Sequence, residues 1–242
     1  MCIRDSDNVE WVWGYRETDK LGGKDPYSAS KGMAELAIRS YVESFFKQSN
    51  SNIKIGIARA GNVIGGGDWA VDRIVPDCMK AWSQGKTVDI RSPYATRPWQ
   101  HVLEPLSGYL TLAANLTQDV RNHGEAYNFG PSVDKNYPVS RLIDEMSKYW
   151  EQIKWNDVSG DKEHAHEAGL LKLNCDKALF DLKWYSALNF EETVEMTVEW
   201  YRNYYQNQNQ GGNTNYGVSK NAAGYNNTGG TGGQYTNYNN GY

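Results

Sequence analysis

The chain has no long apolar run and little cysteine, and each shortage narrows the reading. No stretch approaches the roughly 20 apolar residues that a membrane helix needs, and the polar start lacks the apolar core of a signal peptide. Three cysteines, Cys2, Cys78 and Cys175, stand far apart with no CxxC pair. That spacing gives neither a disulfide framework nor a thiolate pair for a metal, so a reducing, cytoplasmic setting and no metal site are expected. The formal net charge of -4 leaves no basic footprint for nucleic acid. Glycine is plentiful at 24 residues, yet it is nowhere spaced as GxxGxxG or GxGxxG. The turn that seats a dinucleotide pyrophosphate at a helix N-terminus is therefore missing from this sequence.

What is present suffices for one substantial core, since 39% of the 242 residues are hydrophobic. Asp25-Pro26 reads as a helix entry, and Met33, Leu36, Ala37, Tyr41, Val42, Phe45 and Phe46 recur at helical spacing up to about Lys47. After a polar break, Ile53 to Ala58 reads as a buried strand, and helix followed by strand is the pattern of an α/β unit. Arg59 to Asn62 leaves that strand and runs into the glycine-rich loop Gly65-Gly66-Gly67-Asp68-Trp69. Further helices are expected over Val71 to Trp82, Pro105 to Leu116, Val139 to Trp150, Asp176 to Leu182 and Phe190 to Tyr205. Short strands are expected at Thr87 to Ile90 and Ala126 to Gly130. From Gln206 onward Asn, Gly, Gln and Tyr dominate, and Lys220 is the single charge, a composition that reads as a disordered tail. The tail is either dispensable or adhesive.

Within the first helix, Tyr27 and Lys31 lie four apart and so share a face. A phenol is a poor base near neutral pH, with an ordinary pKa of about 10, but a neighbouring ammonium favours the phenolate. The pair can act as a proton acceptor, or it can simply pack and snorkel. Asn62 offers an amide with both donor and acceptor atoms, or it forms a turn. The crowded stretch Arg91 to Val102 holds Arg91, Arg97, Trp99 and His101, where guanidinium forks suit phosphate oxygens. Trp99 can equally be core and His101 a structural histidine. Gly65 to Gly67 is either a backbone cradle for phosphate or a tight turn. His166 beside Glu167 has the look of an acid-base pair.

The Tyr27-x-x-x-Lys31 helix, the strand after it and the Asn-bearing loop at that strand's end resemble the extended short-chain dehydrogenase/reductase family. The resemblance sharpens over Trp11-Val12-Trp13-Gly14-Tyr15-Arg16-Glu17, Asp25-Pro26-Tyr27, Arg59 through Trp69, and Arg97-Pro98-Trp99-Gln100-His101-Val102-Leu103-Glu104-Pro105 through Tyr109. These strings, with Asn128-Phe129-Gly130-Pro131 and Leu171-Lys172-Leu173, are similar to the CDP-glucose 4,6-dehydratases within that family. The likeness covers roughly Asp7 to Tyr205.

That resemblance implies the C-terminal part of a Rossmann-like sheet plus a smaller substrate-binding region. It implies bound NAD, a CDP-glucose or similar nucleotide-sugar substrate, an internal redox cycle that eliminates water, and a homodimer. Tyr27 would take the C4 hydroxyl proton, and Lys31 would lower the Tyr27 pKa and hold the nicotinamide ribose. Ala60 and Val63 match positions bordering the nicotinamide. Asn62, Arg73, Arg91, Arg97, Trp99 and His101 are the substrate-side candidates, Arg73 and Arg97 as phosphate arginines. The family's Thr-Ser-Asp-Lys segment falls on Met1 to Ser6, which does not match and is expected to be foreign sequence. The expected division is 1–6 foreign, 7–70 the remnant of an NAD-binding domain, 71–205 mixed substrate-binding region, and 206–242 tail. As given, the chain is expected to be a fragment of such an enzyme that is inactive alone; the alternatives are another nucleotide-sugar epimerase or dehydratase, or a non-catalytic binding or interaction fragment.

Overall fold

The computed structural model describes residues 13–22, 25–48, 51–151, 153–160 and 169–209. Met1 to Ser6, Trp11, Val12, His166, Glu167 and the tail from 210 lie outside them. Helix α1 (Pro26–Tyr41) begins where the sequence places it, because the Asp25 carboxylate accepts from the Ser28 amide at 2.9 Å and Pro26 occupies the first turn. It continues as a π turn over Val42–Phe46. Strand β1 (Ile57–Ala60) starts four residues later than expected, since its ladder partner β6 (Ala126–Phe129) is only four residues long. Ile55 is tied down instead by His123 Nδ1 and by the Gly124 amide. Asn62 is not in a loop: it opens β2 (Asn62–Ile64), paired in parallel with β5 (Trp99–His101).

Helix α2 (Ile74–Trp82) starts three residues after Val71, because Asp72 takes a left-handed φ of 61° and breaks the helical run. Strand β3 (Val88–Ile90) pairs in parallel with β8 (Trp155–Asp157), and β4 (Thr96–Arg97) pairs antiparallel with β7 (Tyr137–Pro138). Helix α3 (Leu103–Gln118) is longer than expected at both ends, and α4 (Val139–Met146) is shorter, closing in turns at Tyr149 and Trp150. Helix α5 (Asp176–Leu182) matches its expected span. Helix α6 (Phe190–Asn209) begins with a reciprocal cap between Asn189 and Glu192 and runs four residues past Tyr205. Asn and Gln are adequate helix residues, so the change of composition at Gln206 does not stop the helix there.

Two cores result. The larger packs α2, α4 and α6 around Trp99, Met79, Leu142, Val194, Val198 and Tyr201. The smaller sits where α3 and α5 meet β6 through Leu112, Tyr127, Phe129, Leu182 and Trp184. Gly108 lets α3 lie on Phe129, where a Cβ would come 2.3 Å from the ring. Helix α1 departs from its sequence pattern. Its buried face is Ser28, Gly32, Glu35 and then Val42, while Met33, Leu36, Tyr41 and Phe45 are exposed. No helix among the described residues is long and apolar enough to cross a membrane.

Candidate active site

Two groups of candidate residues occupy two places. On the first turns of α1, Lys31 Nζ lies 5.3 Å from the centre of the Tyr27 ring, and Tyr27 is 45% exposed. The ammonium thus stands beside a phenol that is open to a ligand. One turn on, Glu35 is buried against β1 and receives Arg59 through two bonds, Nε to Oε2 at 2.9 Å and Nη2 to Oε1 at 2.6 Å. This pair links the dyad helix to the strand that continues into Ala60, which is buried, and then into Asn62 and Val63.

The second group lines a cleft walled by β2, the glycine loop, the start of α2, β3 and β4. Asn62, Val63, Arg73, Arg91, Arg97 and Trp99 all face it, together with Asp68, Asp72, Asp77 and Asp89. Arg97 is almost fully buried and donates from Nη1 to the Thr96 carbonyl at 2.8 Å. Its charge is held deep in the wall, where low solvent screening strengthens any contact with an anion. Arg73 is half exposed and lies 3.7 Å from the Asp68 carboxylate. Trp99 is both wall and core, its indole N–H donating to the Tyr137 carbonyl. Burial, reinforced by the nearby Asp72 charge, raises the Asp77 pKa. Three guanidinium groups and four carboxylates give the cleft a mixed lining rather than a purely cationic one.

Tyr27, Lys31, Ala60 and His101 do not line this cleft. His101 sits at the start of α3. Its ring is buried, and Nδ1 accepts from the Leu103 amide at 3.4 Å where α3 begins. Burial lowers its pKa, opposed by the Glu104 carboxylate. The glycine loop packs closely against α6 and the start of α3. A Cβ on Gly66 would come 2.1 Å from Trp200 Cγ, and one on Gly65 would come 2.8 Å from Val102 Cγ1. Those glycines allow close packing. Glu35 and Arg59 were not singled out in the sequence, because an acid on one element and an arginine 24 residues on carry no local signature. Trp200 and Tyr201 escaped for the same reason.

No protein-family model matches the chain. It is 44% identical over 200 residues to the CDP-glucose 4,6-dehydratase of Salmonella typhimurium, an alignment covering 81% of this chain and 55% of that protein. It is 25% identical over 189 residues to the dTDP-D-glucose 4,6-dehydratase of Mus musculus, covering 76% and 49%. The chain thus spans about half the length of the curated relatives it matches. Among solved structures, a UDP-glucuronic acid 4-epimerase from Bacillus cereus, in complex with UDP-glucuronic acid and NAD, superposes with a TM-score of 0.68. That match has 18% identity and covers 84% of this chain and 59% of the other. By sequence the chain is similar to these nucleotide-sugar 4,6-dehydratases, and it shares the fold of the solved epimerase.

Proposed function

We propose that the chain carries the sugar-nucleotide end of an NAD-dependent CDP-glucose 4,6-dehydratase, a lyase that converts CDP-glucose to CDP-4-keto-6-deoxyglucose and water. The observation that carries this reading is the cleft, which gathers Asn62, Arg73, Arg91, Arg97 and Trp99 from four separate segments into one lining. A diphosphate needs fixed cationic donors, and Arg97 supplies one from a buried, hydrogen-bonded position. Arg73 supplies a second at the rim.

The residues present fit the nicotinamide end of NAD: Tyr27 and Lys31 stand together on an open face, and Val63 reaches the cleft wall from the strand after Ala60. When bound, NAD would supply the hydride acceptor and donor for the sugar. Beside it Tyr27 takes the proton of the C4 hydroxyl, and Lys31 holds the ribose hydroxyls. Asn62 orients sugar or phosphate oxygens. The positions of the family's elimination residues fall on Met1 to Ser6, which do not match them and lie outside the described residues.

A cytoplasmic, reducing setting agrees with Cys78 and Cys175 being free thiols. The exposed Met33, Leu36, Tyr41 and Phe45 on α1 agree with the family's homodimer.

Titration with CDP-glucose, dTDP-glucose and UDP-glucose, followed by calorimetry, tests the reading. Saturable binding of CDP-glucose that Arg97→Ala abolishes is expected. Equal binding of all three would favour the runner-up, a dehydratase or epimerase for another nucleotide sugar. Failure to bind any of them would sink the proposal.

A further inference from the structure

The glycine loop between β2 and α2 forms one wall of the cleft, through Gly65, Asp68, Asp72 and Arg73. The loop's own bonds are local, such as the Ala70 amide donating to the Asp68 carboxylate at 3.0 Å. Gly67 and Asp72 both take left-handed φ, 80° and 61°, and Val71, Asp72 and Arg73 are exposed. What holds it is α6. The Tyr201 hydroxyl donates to the Asp68 carbonyl at 2.6 Å, from a ring that is fully buried. Trp200 lies flat against Gly66, so closely that a Cβ there would come 2.1 Å from its Cγ. Trp69 then inserts among Trp200, Tyr201, Tyr204 and Tyr205, with ring centres 4.8 to 6.2 Å away. Behind it Trp200 and Tyr204 are stacked at 5.5 Å and 9°.

The loop is thus gripped at three successive points, Gly66, Asp68 and Trp69, by one turn of the last helix. Asp68 is the pivotal residue. Its carbonyl is fixed by Tyr201, and its carboxylate stands 3.7 Å from the Arg73 guanidinium on the cleft rim. A side chain whose backbone is fixed loses little freedom when it takes up a ligand, so such a grip lowers the ordering cost of binding. We propose that α6 presets the rim of the nucleotide-sugar cleft, with Tyr201 and Trp200 as positioning residues for Asp68 and Arg73. Neither touches the ligand. The inference rests on the cleft being the nucleoside-diphosphate site, and it adds that the rim is fixed before the ligand arrives.

The test uses the whole chain and CDP as the probe. Tyr201→Phe keeps the buried ring and removes only the hydroxyl, so it is expected to weaken CDP binding by about three- to tenfold, the range of one lost hydrogen bond. Tyr94→Phe removes another tyrosine hydroxyl, one bonded to Asp157 and outside the cleft lining, and is expected to leave CDP affinity unchanged. A hydroxyl that served stability alone would lower the melting temperature of Tyr201→Phe and leave affinity measured well below melting untouched. That result overturns the proposal. Backbone nitrogen-15 relaxation on the unsubstituted protein gives a second measurement that needs no variant. High order parameters across 66–70 without CDP are expected, and low ones that rise only when CDP is added would make the loop a ligand-closed lid and refute a preset rim. If the unsubstituted protein binds no CDP while 66–70 is ordered, the reading of the cleft fails and this inference falls with it.

Discussion

Arg59 on β1 and Glu35 on α1 form a two-point ion pair with 2% and 0% of their surfaces exposed, and the same guanidinium also donates to the Glu17 carbonyl at 3.3 Å. The pair lies under a helix whose sheet-facing residues are otherwise small, Ser28 and Gly32, with its large apolar side chains pointing outward. Apolar contact has no direction, whereas a guanidinium fork on a carboxylate has one. The pair therefore sets how α1 is turned against β1, and with it where Tyr27 and Lys31 point.

Glu35→Ala leaves the buried Arg59 guanidinium without its carboxylate, whereas after Arg59→Ala the Glu35 carboxylate keeps the Arg39 guanidinium at 2.6 Å. Glu35→Ala should therefore lower stability by about 3 to 5 kcal/mol and Arg59→Ala by less, and the double change Glu35→Leu with Arg59→Met should recover most of the Glu35→Ala loss. Urea unfolding of the three variants gives the comparison. A double variant as unstable as Glu35→Ala would show that the pair's own attraction, rather than the unpaired charge, dominates.

Arginine and lysine should differ at the two phosphate candidates. Arg97 is buried with one N–H already fixed on the Thr96 carbonyl, so Arg97→Lys loses both the fork and its preset geometry. A tenfold or greater loss of CDP affinity is expected there, about 1.4 kcal/mol or more. Arg73 is half exposed and already near Asp68, so Arg73→Lys should cost less. Calorimetric dissociation constants in the reverse order would place the phosphates at the rim rather than the wall.

Two glycines should respond to alanine for different reasons. At Gly66 the new methyl meets the Trp200 indole, an overpacking expected to cost about 1 to 3 kcal/mol. At Gly85 there is nothing within 4 Å, and the cost is the left-handed φ of 68°, about 1 to 2 kcal/mol. The distinguishing measurement is tryptophan fluorescence in the native state. It should change in Gly66→Ala and stay as in the parent protein in Gly85→Ala.

Those residues also show what the sequence could and could not reveal. The start of α1 was readable because Asp25, Pro26 and Ser28 act within one turn, and α5 because its apolar residues follow helical spacing. Strands β4 and β5 were not readable: Arg97, Pro98, Trp99, Gln100 and His101 are all buried, so no alternation of polar and apolar residues marks them. The apolar residues of α1 were misleading, since they follow helical spacing on the face that points away from this core. At the site, Arg97, Trp99 and Asn62 stood out by side-chain chemistry. The grip of Tyr201 on Asp68 spans 133 positions, and no short-range pattern encodes a contact of that kind.

The last prediction concerns acid. His101 is buried, and that burial lowers its pKa from 6.5, with the Glu104 charge opposing. Its Nδ1 accepts from the Leu103 amide, so the neutral ring is the form that fits the start of α3. Between 6.5 and the lower folded value, the unfolded chain binds a proton that the folded chain does not. Stability from this group is therefore full above about pH 6.5 and falls as the pH drops through that window. Glu17 acts in the opposite sense, because burial raises its pKa above 4.5, so protonation on acidification relieves a buried charge. Urea midpoints of the parent protein should thus decline below about pH 6.5. His101→Gln should flatten that decline, and Glu17→Gln should steepen it at its lower end. Proton NMR of the His101 ring checks the premise directly, since a titration midpoint at or above 6.5 would remove the reason for the slope.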